Sequence, residues 1–312
     1  TFPPDSDPSD TDGHGTHMAG IIAARRGNNL GIEGMAPAAE LMILRAGYRS
    51  ADGGVELMVS DVAGAIEYAS CMGADIIFMG FGGPDSSLHT CISSAYDSGI
   101  TLVAAAGNTG SAEPVYPAAF GEVLAVAAAA EDRMPAIFST AGDWVGCSAP
   151  GVSVISCGPE GYTERNGSSC AGAFAAGIAA LIRSVNTDWD PGITAAHIIR
   201  TGRIAEGTDD AGYLIPFCAA DSALIAEPGI FLEAVTDSVR TTGTPWPGGQ
   251  NMEVFLSVRN GWAALGESVL TVEPLGQETT VPERPELALR RFETGERVRI
   301  SFQLCAGEEL LY

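Results

Sequence analysis

Three short segments of this 312-residue chain carry side chains suited to nucleophilic chemistry. In "DGHGTHMAG" (12–20) the imidazole of His14 stands between Gly13 and Gly15 at the start of a helix-like run. Two flanking glycines let another chain segment approach it without crowding. In "TLVAAAGNTG" (101–110) an apolar run ends in small residues and then Asn108, whose amide can donate to a developing oxyanion. In "NGSSCAGAFAAGIAALI" (166–182) Ser169 opens a helix built almost entirely of Ala, Gly, Ile and Leu. A serine there sits at the positive end of the helix dipole, beside unpaired N–H groups. A base, an oxyanion donor and a nucleophile are the parts acyl transfer requires. Each segment alone also has a plain structural reading: a solvated or packed histidine, a Gly-Asn turn, an N-cap serine. His17, one helical turn past His14, reads as a packing residue.

Elements must bring these segments together. From 14 to about 226 short apolar runs alternate with helical patterns. The strand-like runs are "LMILRA" (41–46), "DIIFMG" (75–80), "TLVAAAG" (101–107) and "VLAVAAA" (123–129). Helical periods fall at 14–26, 56–72, 87–98, 169–184 and 193–202. Apolar strands separated by helices predict an α/β fold, doubly wound around a mostly parallel sheet with helices on both faces. "AIFST" (136–140) and "GVSVIS" (151–156) read as later strands or turns. The helix after Ser169 has no polar face and must be buried centrally. After "AEPG" (226–229) the pattern changes to apolar–polar alternation in "MEVFLSVRN", "ESVLTVEP" and "ERVRISFQL". That predicts a small all-β, sandwich-like domain. The expected division is 1–228 and 229–312, with truncation of the second domain left open.

Composition excludes several classes. The formal charge is −23, from 39 acidic against 16 basic residues, and Lys is absent. A surface so acidic lacks the positive clusters that nucleic acid requires. Seven Cys form no CxxC or other ligand spacing, and the odd number leaves at least one unpaired within the chain. No stretch reaches the roughly 18 apolar residues of a membrane span. The opening "TFPPDSDPSD" and the end "ELLY" read as those of a fragment or a processed product.

The order of the three segments resembles the subtilisin-like serine proteases, the subtilase family. "HGTHMAG" is similar to the family's histidine motif, "AAAGN" to its oxyanion motif and "NGSSCAGAFAAG" to its serine motif. "GMAP" (34–37) and "GADIIFMGFGG" (73–83) follow in matching order, so the likeness runs from about Thr1 to Ala226. It implies Ser169 as nucleophile, His14 as general base and Asn108 in the oxyanion hole. It also implies substrate contacts from Gly80, Phe81, Gly82 and Gly83 on one side of a cleft and from Gly53 and Gly54 on the other. Ala105, Ala106 and Gly107 would wall the primary specificity pocket. Thr109 adds no charge there, so a neutral or apolar side chain is the expected preference. "ARRGNNLGIEG" (24–34) resembles a calcium loop, with Asn28 as side-chain ligand and Leu30 and Ile32 as carbonyl donors. No cofactor is required for the chemistry. The resemblance implies a secreted or cell-surface endopeptidase acting on proteins or peptides, its C-terminal module binding a surface or protein.

The chain departs from the family in three places. The orienting Asp of the triad is expected on a strand upstream of Thr1, because Asp5, Asp7, Asp10 and Asp12 follow no apolar strand. Ser168 and Ala173 stand where the family has Thr and Pro. These departures motivate a second reading, a catalytically silent subtilase fold serving as a binding module. An α/β-hydrolase lipase or esterase is a poor third option, since "GSSCAG" breaks the GxSxG elbow and His precedes Ser. Cys170, in the first turn after Ser169, is expected to be a reactive thiolate favoured by the helix dipole.

Overall fold

The computed structural model describes residues 9–10, 12–50, 55–142, 144–203 and 217–225, and the backbone of strands between 232 and 306. The chain divides into two compact units, Thr1–Glu227 and Pro228–Tyr312. The first runs α1 (His14–Ala23), β1 (Gly47–Arg49), β2 (Val55–Leu57), α2 (Val59–Cys71), β3 (Ile76–Met79), α3 (His89–Asp97) and β4 (Thr101–Ala105). It continues through β5 (Val123–Ala129), β6 (Cys147–Pro150), β7 (Val154–Gly158), β8 (Gly161–Arg165), α4 (Ser168–Val185), α5 (Pro191–Thr201) and α6 (Ala220–Ile225). In the second unit β9 (Leu232–Thr241), β10 (Asn251–Asn260), β12 (Thr279–Thr280) and β14 (Arg297–Ala306) pair antiparallel in the order β12-β14-β10-β9. There β11 (Ser268–Thr271) pairs with β13 (Glu286–Leu289).

The first unit is built on a parallel sheet of order β3-β4-β5-β6. Every residue of β4 and β5 is buried, so their apolar runs show no polar alternation. Alternation survives in which face each side chain meets. Val103, Leu124 and Val126 pack with α4 and α5 through Ala175, Ile182 and Ile198. Leu102, Ala104, Val123 and Ala125 pack on the other face with Val62 and Ile66 of α2 and Ile92 of α3. Helices therefore cover both faces, as the period-2 geometry of a doubly wound sheet demands.

The segment 41–46 is not a strand. It forms no ladder, and Leu41, Met42, Ile43 and Leu44 are 38–54% exposed. An apolar run becomes a strand only where a neighbour accepts its hydrogen bonds. Among the described residues none pairs with it, and the edge of β3 away from β4 is also without a partner strand. The short β1 and β2 instead form an antiparallel pair. "AIFST" is a turn, whereas Val154 begins a β7–β8 hairpin.

Helix α1 stops at Ala23, three residues before the sequence pattern does, because "GMAP" folds back on its end. The amides of Met35 and Ala36 donate to the carbonyls of Ile21 and Ile22, satisfying helix groups that would otherwise be orphaned. Helix α4 has 18 residues with a mean hydropathy of 1.4, enough by length and composition to cross a membrane. This corrects the expectation that no stretch is long enough. Two-thirds of it is buried inside the unit, as for the core helix of a globular domain.

Candidate active site

His14 begins α1, and the chain in front of it is tied down by Asp10. One Asp10 carboxylate oxygen accepts from the amides of Gly13 (2.8 Å) and Asp12 (3.0 Å). The other accepts from the Thr16 amide (2.7 Å) and hydroxyl (2.8 Å). Burial pushes this carboxyl up, but the four donors outweigh it and bring its pKa down to about 2. Gly13 turns the chain at φ +84°, and a Cβ there would stand 2.8 Å from Pro159 Cδ. Arg165, at the end of β8, donates to the Asp12 carbonyl at 2.9 Å and lies 3.7 Å from its carboxylate.

The His14 ring lies against Gly80: a Cβ on that glycine would be 3.2 Å from His14 Cε1. The Gly80 carbonyl in turn accepts the Ser169 hydroxyl at 3.0 Å. Gly80 thus touches both residues. Burial holds His14 below its ordinary pKa, the Arg165 charge lowers it further, and Asp12 and Asp10 oppose the shift. The ring is therefore held toward its neutral form, the form a general base needs. Among the described residues it makes no hydrogen bond that would fix its tautomer.

Ser169 lies in the first turn of α4 and is 9% exposed. Asn108 follows β4, and its Oδ1 accepts the Ser168 amide at 2.8 Å. With the oxygen occupied, the Nδ2 hydrogens are the part of this amide left to donate. Gly167 has φ +155°, and a Cβ on it would come within 3.4 Å of Asn108 Nδ2. The Ser168 hydroxyl accepts the Gly107 amide at 3.0 Å, so a second bond joins the helix start to the β4 end. Thr140 braces the same turn, donating its amide to the Gly107 carbonyl and accepting the Thr109 amide on its hydroxyl. His14, Asn108 and Ser169 line one cleft of ≈ 260 Å³, with Met18, Glu164, Arg165, Asn166 and Cys170 completing it.

The model of the subtilase family, Peptidase_S8, matches residues 2–217. The chain belongs to the subtilase family. A thermophilic serine proteinase of Bacillus sp. (strain AK1) is 40% identical over 183 residues, 58% of this chain and 45% of that protein. Subtilisin DY of Bacillus licheniformis is 42% identical over 183 residues, 56% of this chain and 65% of that one. The solved structure of a cold adapted subtilisin-like serine proteinase superposes with a TM-score of 0.61 at 26% identity. It covers 68% of this chain and 76% of that one. This subtilase thus spans 45% and 65% of the length of the two curated relatives.

The remaining sequence-derived positions fall in different places. Gly53 and Gly54 lie outside the described residues, as do Asp5 and Asp7. Gly83 already exchanges two backbone hydrogen bonds with Tyr116, so that part of "GFGG" is occupied. Phe81 and Gly82 make no backbone hydrogen bond among the described residues. Ala105 and Ala106 are buried at the end of β4, and Gly107 and Thr109 sit in the turn that Thr140 braces.

In the loop 24–34, Asn28 Oδ1 accepts the Leu30 amide at 2.9 Å and Glu33 engages Arg26 and the Gly27 amide. A calcium ion takes six to eight oxygens. Asn28 and the carbonyls of Leu30 and Ile32 fall short of that set. Among the described residues no group of three or more His, Cys, Asp or Glu could hold a metal.

Cys170 corrects its expectation. It is 1% exposed, and burial raises its pKa to about 11 against the opposing pull of Arg165 and a backbone hydrogen bond. Desolvation outweighs the helix dipole here. His17 is fully buried and its Nε2 donates to the carbonyls of Val154 and Thr163, tying α1 to the β7–β8 hairpin. Sequence reasoning missed Arg165, and it named Gly80 only as a substrate contact, not as the carbonyl that accepts the Ser169 hydroxyl. The charge in "ERNGSS", four residues before Ser169, is the signal that could have found the first. A backbone carbonyl leaves no such trace.

Proposed function

We propose that this subtilase is a serine endopeptidase that hydrolyses peptide bonds through an acyl-enzyme on Ser169. The observation that carries the reading is the pairing of Asn108 Oδ1 with the Ser168 amide beside Ser169, in a cleft that His14 shares. Ser169 Oγ attacks the scissile carbonyl while His14 takes its proton, then returns it to the leaving amine. Asn108 Nδ2 and the Ser169 amide, at the unpaired first turn of α4, hold the oxyanion. Water then repeats the cycle against the ester.

The His14 ring requires an orienting acid. Both Asp10 oxygens are engaged in capping, and Asp12 faces the His14 amide and Arg165. We assign the acid to a strand upstream of Thr1, seated along the open edge of β3. Phe81 and Gly82 offer backbone to an extended substrate, and Thr109 keeps the primary pocket uncharged, favouring neutral or apolar side chains. A structural calcium at Asn28, Leu30 and Ile32 needs further oxygens and takes no part in the reaction. The protein is assigned to the outside of the cell, and its second unit to a sandwich-like accessory module that binds a surface or protein.

A silent binding module is the second reading, favoured by the Ser169 hydroxyl donating to Gly80 rather than to a base. Turnover of an unstructured protein by the chain with its upstream segment separates the two. The endopeptidase reading predicts cleavage that Ser169→Ala reduces roughly 10⁶-fold, the magnitude known for subtilisin's own nucleophile. Peptide binding without cleavage would favour the module.

A further inference from the structure

The outer edge of β6 carries two cysteines that the proposed chemistry does not use. Cys147 opens β6, and the chain returns to this edge where Phe217 bridges to Ser148 in parallel. The Cys218 amide donates to the Ser148 carbonyl at 2.7 Å. Cys147 is 0% and Cys218 5% exposed, both in the core beneath α4 and α5 with Leu124, Ile182 and Ile198. Their sulfurs are 3.2 Å apart. That is inside the contact distance of two thiols, and a disulfide of about 2.05 Å needs the sulfurs to move together by roughly 1 Å. All six described cysteines, Cys147 and Cys218 included, are free thiols in this structure, and Cys71, Cys91, Cys157 and Cys170 have no sulfur partner among the described residues.

We propose that Cys147 and Cys218 form a structural disulfide that closes a ring around the nucleophile helix. The 71-residue separation of the two cysteines encloses Ser169, α4 and α5. It pins the returning chain, just before α6, to the edge of the catalytic sheet. The bond forms during folding, before the pair is covered, by exchange with a low-molecular-weight disulfide such as oxidised glutathione. One thiolate attacks the external disulfide and releases one of its thiols. The second thiolate then displaces the other thiol and closes the protein's S–S bond. The two protons that the protein thiols give up on forming thiolates end on the two released external thiols, which also carry the two electrons. Once the pair is buried, the Cys218 sulfur and then desolvation hold the Cys147 thiol well above its usual range. A thiolate-based redox exchange in the folded protein is thereby disfavoured, which fits a structural bond and an oxidising compartment.

The test uses the full chain refolded with reduced and oxidised glutathione, and the same chain refolded in reductant. Each is denatured, alkylated without reduction, digested and mapped by mass spectrometry. The oxidised sample should yield a Cys147–Cys218 linked peptide, and its Tm should exceed that of the reduced sample by roughly 10 °C. In Cys147→Ala/Cys218→Ala the difference between the two conditions should vanish. Recovery of both residues as alkylated thiols from the oxidised sample would overturn the assignment. So would a Tm difference that persists in the double variant, or linkage of either cysteine to another residue.

Discussion

The side-chain oxygen of Asn108 accepts a 2.8 Å hydrogen bond from the backbone N–H of Ser168, the residue before the proposed nucleophile. The Ser168 hydroxyl accepts in turn from the Gly107 amide at 3.0 Å. Two bonds in opposite senses therefore lock the end of β4 to the start of α4. A donor aimed at an oxyanion gains its effect from being fixed before the reaction begins. Ser168 retains the hydroxyl of the Thr it replaces in the family pattern. That is why this departure leaves the arrangement intact.

Asn108→Ala should lower kcat by roughly 10²–10³ with little change in KM, the range known for the subtilisin oxyanion asparagine. Steady-state hydrolysis of a peptide substrate measures both constants. An unchanged kcat would reduce Asn108 to a turn residue.

Arg165 lies between Asp12 and the cleft and adds to the burial that lowers the His14 pKa. His14 must be neutral to accept the serine proton, so activity falls as pH drops through its pKa. Arg165→Gln removes a cation that disfavours imidazolium, and the acid limb of kcat/KM should move to higher pH. A profile that stays in place, or moves to lower pH, would contradict this role.

The strands at 101–105 and 123–129 and helix α4 were legible because burial on every side leaves an uninterrupted apolar or small-residue signal. The segment 41–46 carries the same signal and is not a strand, since composition records a preference and not the presence of a neighbour. Strand β6, "CSAP", was invisible: with Ser148 and Pro150 it owes its place to pairing with β5. His14, Asn108 and Ser169 were readable as motifs. Cys170 was misjudged because the dipole is apparent from sequence position, whereas its burial depends on residues distant in the chain.

Asp10 anchors the start of α1, and its depressed pKa sets a pH window. The unfolded carboxyl titrates near 4 and the folded one at about 2. Its contribution is complete above the first value and is lost as pH falls toward the second. Asp10→Ala should cost on the order of 1–2 kcal/mol at neutral pH, discounted for partial exposure. Denaturant unfolding at pH 7 and pH 2 tests this: the difference between variant and parent should shrink at the lower pH. Equal differences at both would contradict it.

Cys170 should resist alkylation in the folded protein at pH 8, because burial holds it as a thiol with a pKa of about 11. Exposed Cys71 provides the internal comparison. Peptide mapping after a short iodoacetamide pulse should find Cys71 modified and Cys170 intact. Comparable modification of the two would mean the helix start is open to reagent.

The central claim is that Ser169 is a nucleophile activated by His14. A fluorophosphonate probe measures this directly, since it traps a serine only where a base and an oxyanion site already act on it. The chain with its upstream segment should take up one probe per molecule, mapped to Ser169. Ser169→Ala and His14→Ala should both abolish uptake under the same conditions. Labelling that persists in Ser169→Ala, or an active protein whose Ser169 stays unlabelled, would contradict the account.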